Sequence, residues 1–133
     1  MNALNILIAG GGIGGLSAAL CLAQRGHHVA VFEQAADFAE AGAGIQSSPN
    51  ASCVLHALGL ASELQTRAFL PSATQFRHWR SGAVIAQTPL GEAALQRYGA
   101  PYYHLHRGDL LAVLLRACRN NELITLHAGC PVN

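Results

Sequence analysis

Five of the six positions from 10 to 15 are glycine: Gly10, Gly11, Gly12, Gly14 and Gly15. They sit inside "ILIAGGGIGGLSAALCLAQRGHHVAVFEQ", and no side chain is charged before Arg25. By hydropathy alone this stretch could be a secretory signal or a membrane span. A signal needs a positive leading segment, and residues 1 to 5 carry no charged side chain. A spanning helix would have to absorb five interior glycines at about 1 kcal/mol each relative to alanine. The glycines therefore form a turn, and neither a membrane element nor a membrane partner is expected.

The flanks say what the turn joins. "LNILIA" (4 to 9) is a short apolar run of buried-strand length. From Leu16 the apolar residues Leu16, Ala19, Leu20 and Ala23 recur at helical spacing, and Gly26 is placed to end the helix from its C′ position. Val29 and Val31 lead a second strand that ends at Glu33. The result is one β-α-β unit with G-x-G-x-x-G filled by Gly10, Gly12 and Gly15. The first glycine makes the tight turn, the second lets the backbone approach a pyrophosphate, and the third lets helix and strand pack closely. The helix start offers unpaired N–H groups and partial positive charge to phosphates. Glu33, 18 residues after Gly15, stands where a carboxylate accepts hydrogen bonds from a ribose. An acid there disfavours a 2′-phosphate. The fingerprint predicts dinucleotide binding and does not separate FAD from NAD.

Downstream, "SSPNASCVLHALGL" (47 to 60) predicts a helix with Ser48 as N-cap, Pro49 in the first turn, Ala51, Val54, Leu55 and Leu58 as its apolar face, and Gly59 as its stop. "EAGAGI" (40 to 45) before it is a small-residue loop, either a plain connection or a backbone that approaches a flat ligand. "SATQFRHWRSGAVIAQTP" (72 to 89) predicts two antiparallel strands turning at Ser81-Gly82, outside a simple β-α-β series. Residues 90 to 101 are a short helix or loop, and "YYHLH" (102 to 106) is a strand. "RGDLLAVLLRACRNN" (107 to 121) is a helix burying Leu110, Leu111, Leu114, Leu115 and Cys118, and "LITLHA" (123 to 128) is a final strand. Arg107 marks a strand-to-helix junction. Side chains there can reach the carboxyl edge where open α/β sheets bind ligands.

All eight basic residues are arginines scattered from Arg25 to Arg119, so no basic patch points to nucleic acid. The four cysteines form no C-x-x-C pair and read as buried apolar side chains in a reducing cytoplasm. His104 and His106 alternate on one strand without a third ligand nearby, so no metal site is expected. No catalytic residue can be identified.

Three stretches in order, "IAGGGIGGLSAALCLAQRGHHVAVFEQ", "GAGIQSSPNA" followed by "LHALGL", and "YYHLHRGDLLAVLLRAC", resemble the FAD-dependent aromatic-ring hydroxylases, the single-component flavoprotein monooxygenases, and most of all their salicylate and 3-hydroxybenzoate hydroxylase branch. The second and third stretches speak against a simple NAD module of a dehydrogenase. The resemblance implies FAD as cofactor, NAD(P)H as its reductant, O2 as oxidant and a small aromatic substrate. It implies that Gly44 and Ile45 lie beside the flavin and that Arg107 contacts the phosphate and ribityl region. The expected cofactor-binding set is Gly10, Gly12, Ile13, Gly14, Gly15, Glu33, Gln34, Gly44, Ile45 and Arg107. The expected fold is α/β: a Rossmann-like FAD-binding β-α-β with a parallel sheet (1 to 71), a hairpin from the start of a substrate domain (72 to 89) and a strand-helix-strand return (90 to 133). Two later motifs of the family, a D-G pair and a G-D segment, are not found, so an incomplete, N-terminal portion is expected. The alternative is a catalytically inactive remnant with weak or no dinucleotide binding, self-associating through an uncovered apolar edge. Ser47 and Cys53 depart from the family's usual apolar residue and arginine.

Overall fold

The computed structural model describes residues 2–38 and 42–132. They divide into two compact units, the described residues within 1–43 and 106–133 forming one and residues 44–105 the other.

The first unit is built on a parallel sheet. Strands β1 (Asn5–Ala9), β2 (His28–Phe32) and β7 (Ile124–His127) lie in the order β1-β2-β7, with Ile8 beside Val31 and Val31 beside Leu126. Helices α1 (Ile13–Ala23) and α5 (Arg107–Arg119) pack with it. Every residue of the predicted α1 face, Leu16, Ala19, Leu20 and Ala23, is buried, and so are all five predicted α5 positions together with Val113. A fully buried leucine is worth about 1.5–3 kcal/mol over an exposed one, so these rows dominate the unit's stability. The Cys118 thiol points across to α1 and donates to the Leu16 carbonyl at 3.6 Å. Leu7 remains 73% exposed. The strand residues alternate: Ile6 and Ile8 are half-buried while Asn5, Leu7 and Ala9 are exposed, so β1 packs one face only.

Gly26, with φ 82°, ends α1 two residues past the C-cap Gln24, one position later than expected. Its N–H donates to Ala23, and the next N–H, of His27, reaches back to Leu22.

The second unit holds β3 (Gly44–Ser47), α2 (Pro49–Ala57), α3 (Ala61–Gln65), the antiparallel pair β4 (Ala73–Arg77) and β5 (Val84–Pro89), α4 (Glu92–Tyr98) and β6 (Tyr103–His106), which pairs with β3. The hairpin turn runs through His78–Ala83, with Gly82 at φ 71°. Tyr103 is fully buried, and its hydroxyl meets His56 Nε2 at 2.9 Å. Two sequence readings are corrected here. Of the predicted α2 face only Leu55 is buried; Ala51 and Val54 are exposed, Leu58 is half-buried, and Ser52 is buried instead. Ser52 can go inside because its Oγ lies 3.1 Å from Ser47 Oγ, so both hydroxyls are partnered. Ser48 is the N-cap by position, but its hydroxyl donates to Asn50 Oδ1 rather than capping α2.

Candidate functional site

The glycine turn follows β1 directly and leads into α1. Gly10 has φ 102°, a backbone region closed to ordinary side chains, and its N–H donates to Phe32 O at 2.7 Å, tying the turn to β2. A Cβ built on Gly15 would stand 1.9 Å from Gly10 O. The helix can therefore lie this close to the turn only with hydrogen at position 15. At Gly14 a Cβ would meet nothing within 4 Å. Among the described residues none requires glycine there, and position 14 faces open space at the helix start.

No residue of α1 itself brings negative charge or a cap to that helix start. The N-cap is Gly12, no side chain caps α1, and its first turn holds no acid. The N–H groups of Ile13, Gly14 and Gly15 have no helical carbonyl before them to receive their hydrogens. The other long helix of this unit differs: α5 has Asp109 in its first turn, Arg116 and Arg119 in its last, and a side-chain cap from His106. A diphosphate would supply α1 with the negative charge that its own sequence lacks.

Glu33 lies at the end of β2 and folds back toward the turn. Its Oε2 accepts from the Gly11 N–H at 2.7 Å, and its Oε1 accepts from the Ala35 N–H at 2.9 Å. The Ala35 N–H, then the Gly11 N–H, hold the carboxyl below its ordinary value; partial burial opposes them, and the Gln34 N–H adds to the lowering. Each oxygen keeps a second lone pair, so the carboxylate can still accept from a sugar hydroxyl. Gly10, Glu33 and Gln34 line a groove of about 260 Å³ with Ala9, Phe32, Cys130 and Val132. Phe32 is backed by His127, whose ring stacks on it at 4.7 Å and 13°.

Of the predicted set, Gly10, Gly12, Ile13, Gly14, Gly15, Glu33 and Gln34 thus gather at one end of β1 and β2. Arg107 belongs to the same unit. It opens α5, and its N–H donates to Ala43 O at 3.0 Å. Gly44 and Ile45 are the first two residues of β3, in the other unit.

Three residues at this end were missed in the sequence. Gly11 was visible only as filler between Gly10 and Gly12, yet a Cβ there would meet the Phe38 ring at 2.3 Å. Cys130 and Val132 enter the groove because β7 lies beside β2, a pairing between distant stretches that no local pattern reveals. The reading of all cysteines as buried is also corrected. Only Cys118 is; Cys21 and Cys130 are half-buried and Cys53 is exposed.

Among the described residues no group of three or more His, Cys, Asp or Glu is placed to hold a metal ion, and no helix is long and apolar enough to cross a membrane.

Residues 5–113 match the family described as FAD dependent oxidoreductase. A 3-amino-4-hydroxybenzoate 2-monooxygenase from Streptomyces platensis is 49% identical over 114 residues, covering 86% of this chain and 29% of that protein. A 3-hydroxybenzoate 6-hydroxylase from Polaromonas naphthalenivorans is 43% identical over 116 residues, covering 87% and 29%. Among solved structures, Klebsiella pneumoniae HpxO complexed with FAD and uric acid superposes with a TM-score of 0.76 at 27% identity, over 92% of this chain and 30% of that one. The chain therefore spans about three-tenths of the length of the curated relatives it matches.

Proposed function

The chain belongs to the FAD dependent oxidoreductases, among the aromatic-ring flavoprotein monooxygenases, and from that premise we propose that its first unit holds the ADP portion of FAD. The observation that carries this is the Glu33 carboxylate bonded to the Gly11 N–H at the lip of a groove, beside a helix start with no charge of its own. The N–H groups of Ile13, Gly14 and Gly15 receive the diphosphate. Glu33 accepts from the adenosine ribose while fixing Gly11. Gln34, next along the chain, lines the adenosine side of the groove. Arg107 neutralises phosphate charge, and Gly44 with Ile45 gives the isoalloxazine ring a backbone it can approach.

FAD held there would supply the redox chemistry, with NAD(P)H as reductant and O2 as oxidant for hydroxylation of an electron-rich ring. The aromatic substrate class follows the relatives, which act on hydroxybenzoates. The hairpin of β4 and β5 is read as the beginning of the substrate-side sheet, and the working compartment as the cytoplasm.

Purified chain mixed with FAD and freed of excess ligand tests the reading. It should retain yellow flavin absorbance at one equivalent. NADH consumption with 3-hydroxybenzoate present then asks whether the same chain turns over. Colourless protein after mixing would refute the cofactor assignment. Bound flavin without NADH consumption would confine the function to cofactor holding.

A further inference from the structure

The histidine in His106-Arg107-x-Asp109-Leu110 has no part in the site described above, yet three observations converge on it. Its Nδ1 accepts the Gly108 N–H at 3.2 Å, so the imidazole is the N-cap of α5. Its ring lies on the bare backbone of Gly42: a Cβ there would stand 1.8 Å from Cε1 and 2.2 Å from Nε2. On the other side, a Cβ at Gly108 would stand 3.2 Å from Nδ1. Between these two glycines, the Arg107 N–H donates to Ala43 O at 3.0 Å. The ring therefore packs against Gly42 on one side and caps the first turn of α5 on the other, with Arg107 bonded into the same junction.

We propose that His106 is a positioning residue for cofactor binding: its imidazole fixes the segment 42–43 against the start of α5 and so sets where Arg107 is presented. Nδ1 acts as acceptor and therefore carries no proton, leaving the proton of the neutral ring on Nε2. A side chain that caps without filling the space over Gly42 does half of this work, and one that fills it without capping does the other half. Asn meets the first condition, because its amide oxygen is among the best N-cap acceptors. Leu meets only the second.

The inference rests on the FAD-binding reading for its affinity consequence, but its structural part is measurable without FAD. In free protein, exchange of the Gly108 amide hydrogen should quicken about fivefold or more in His106→Leu and His106→Ala and stay near wild type in His106→Asn, as expected for losing or keeping a cap. Gly42→Ala should push the His106 ring off its cap, quickening Gly108 exchange in the otherwise wild-type chain about as much as His106→Ala does, and should add nothing in His106→Ala, where the ring it would strike is gone. In flavin titrations, His106→Ala should weaken FAD binding about tenfold, and His106→Asn and His106→Leu, each keeping one half of the junction, should each recover part of that loss. Equal Gly108 exchange in wild type and His106→Leu, or a Gly42→Ala effect indifferent to His106, would overturn the proposal. If no variant and no wild type takes up FAD while the exchange and Gly42 results hold, the cofactor assignment fails and with it the affinity role, leaving the packing role established.

Discussion

Gly14 and Gly15 are neighbours in one helix, and alanine should act on them with opposite signs. At position 15 the new methyl would begin 1.9 Å from Gly10 O, whereas ordinary contact starts near 3.4 Å. Turn or helix must retreat by about 1.5 Å to restore contact distance. The turn is held by the Gly10 bond to Phe32 O, and the helix by buried Leu16, Ala19 and Leu20, so neither yields freely. Overpacking of this kind costs about 1–3 kcal/mol, and the overlap here belongs at the upper end or beyond it. At position 14 nothing lies within 4 Å, and replacing a helical glycine by alanine gains up to about 1 kcal/mol. For a chain this size each kcal/mol moves the melting temperature by roughly 3–5 °C. Thermal unfolding followed by circular dichroism should therefore show G14A unchanged or a few degrees higher and G15A lower by 10 °C or more. Flavin titration adds the second half: G14A, although stable, should bind FAD about tenfold more weakly because its methyl occupies space kept for the diphosphate. A G15A protein as stable as G14A, or a G14A protein that melts well below wild type, would refute the steric argument.

Glu33→Gln should weaken FAD binding about tenfold and remove a pH dependence. The carboxyl is held below its ordinary value in the folded chain, so its stabilisation is complete above that ordinary value and disappears as pH falls through the lowered one. Urea midpoints measured across the acid range should slope in wild type more than in the variant; parallel curves would contradict the assignment. Alkylation with iodoacetamide, mapped by mass spectrometry, should modify exposed Cys53 readily and leave Cys118 untouched until unfolding, since burial pushes its thiol up to about 11. FAD should slow the modification of Cys130, which lines the groove, without protecting Cys53. Tyr103→Phe should cost about 1 kcal/mol in urea denaturation, because His56 Nε2 loses its partner; an unchanged midpoint would mean that bond contributes nothing.

The parts legible in the sequence are those governed by local pattern. Leu16, Ala19, Leu20 and Ala23 announce a buried helical face by spacing alone, and the leucines after Arg107 do the same. Glycines 10, 12 and 15 with Glu33 form a fingerprint whose positions each answer a physical need. Pairings between distant stretches were not legible. Nothing near Tyr103 says that its strand joins β3, and nothing in "LITLHA" says that its neighbour is β2 or that Cys130 will end up beside Gly10. The α2 face was misread for a related reason. A serine reads as an outward residue unless its partner is known, and Ser52 finds its partner in Ser47, five residues earlier. In the sequence His106 reads only as a metal-ligand candidate beside His104, because its packing role carries no signal until the bare backbone of Gly42 is seen beneath its ring.

The central claim is that a dinucleotide's phosphates rest on the amides that begin α1. Amide chemical shifts of isotope-labelled chain, followed during FAD addition, test it most directly. The account predicts that the largest saturable changes fall on Gly11 through Gly15 and on Gln34 and Ala35, next to Glu33, with ADP reproducing most of them. Saturable binding that leaves those amides unmoved, or shifts confined to the second unit, would contradict it.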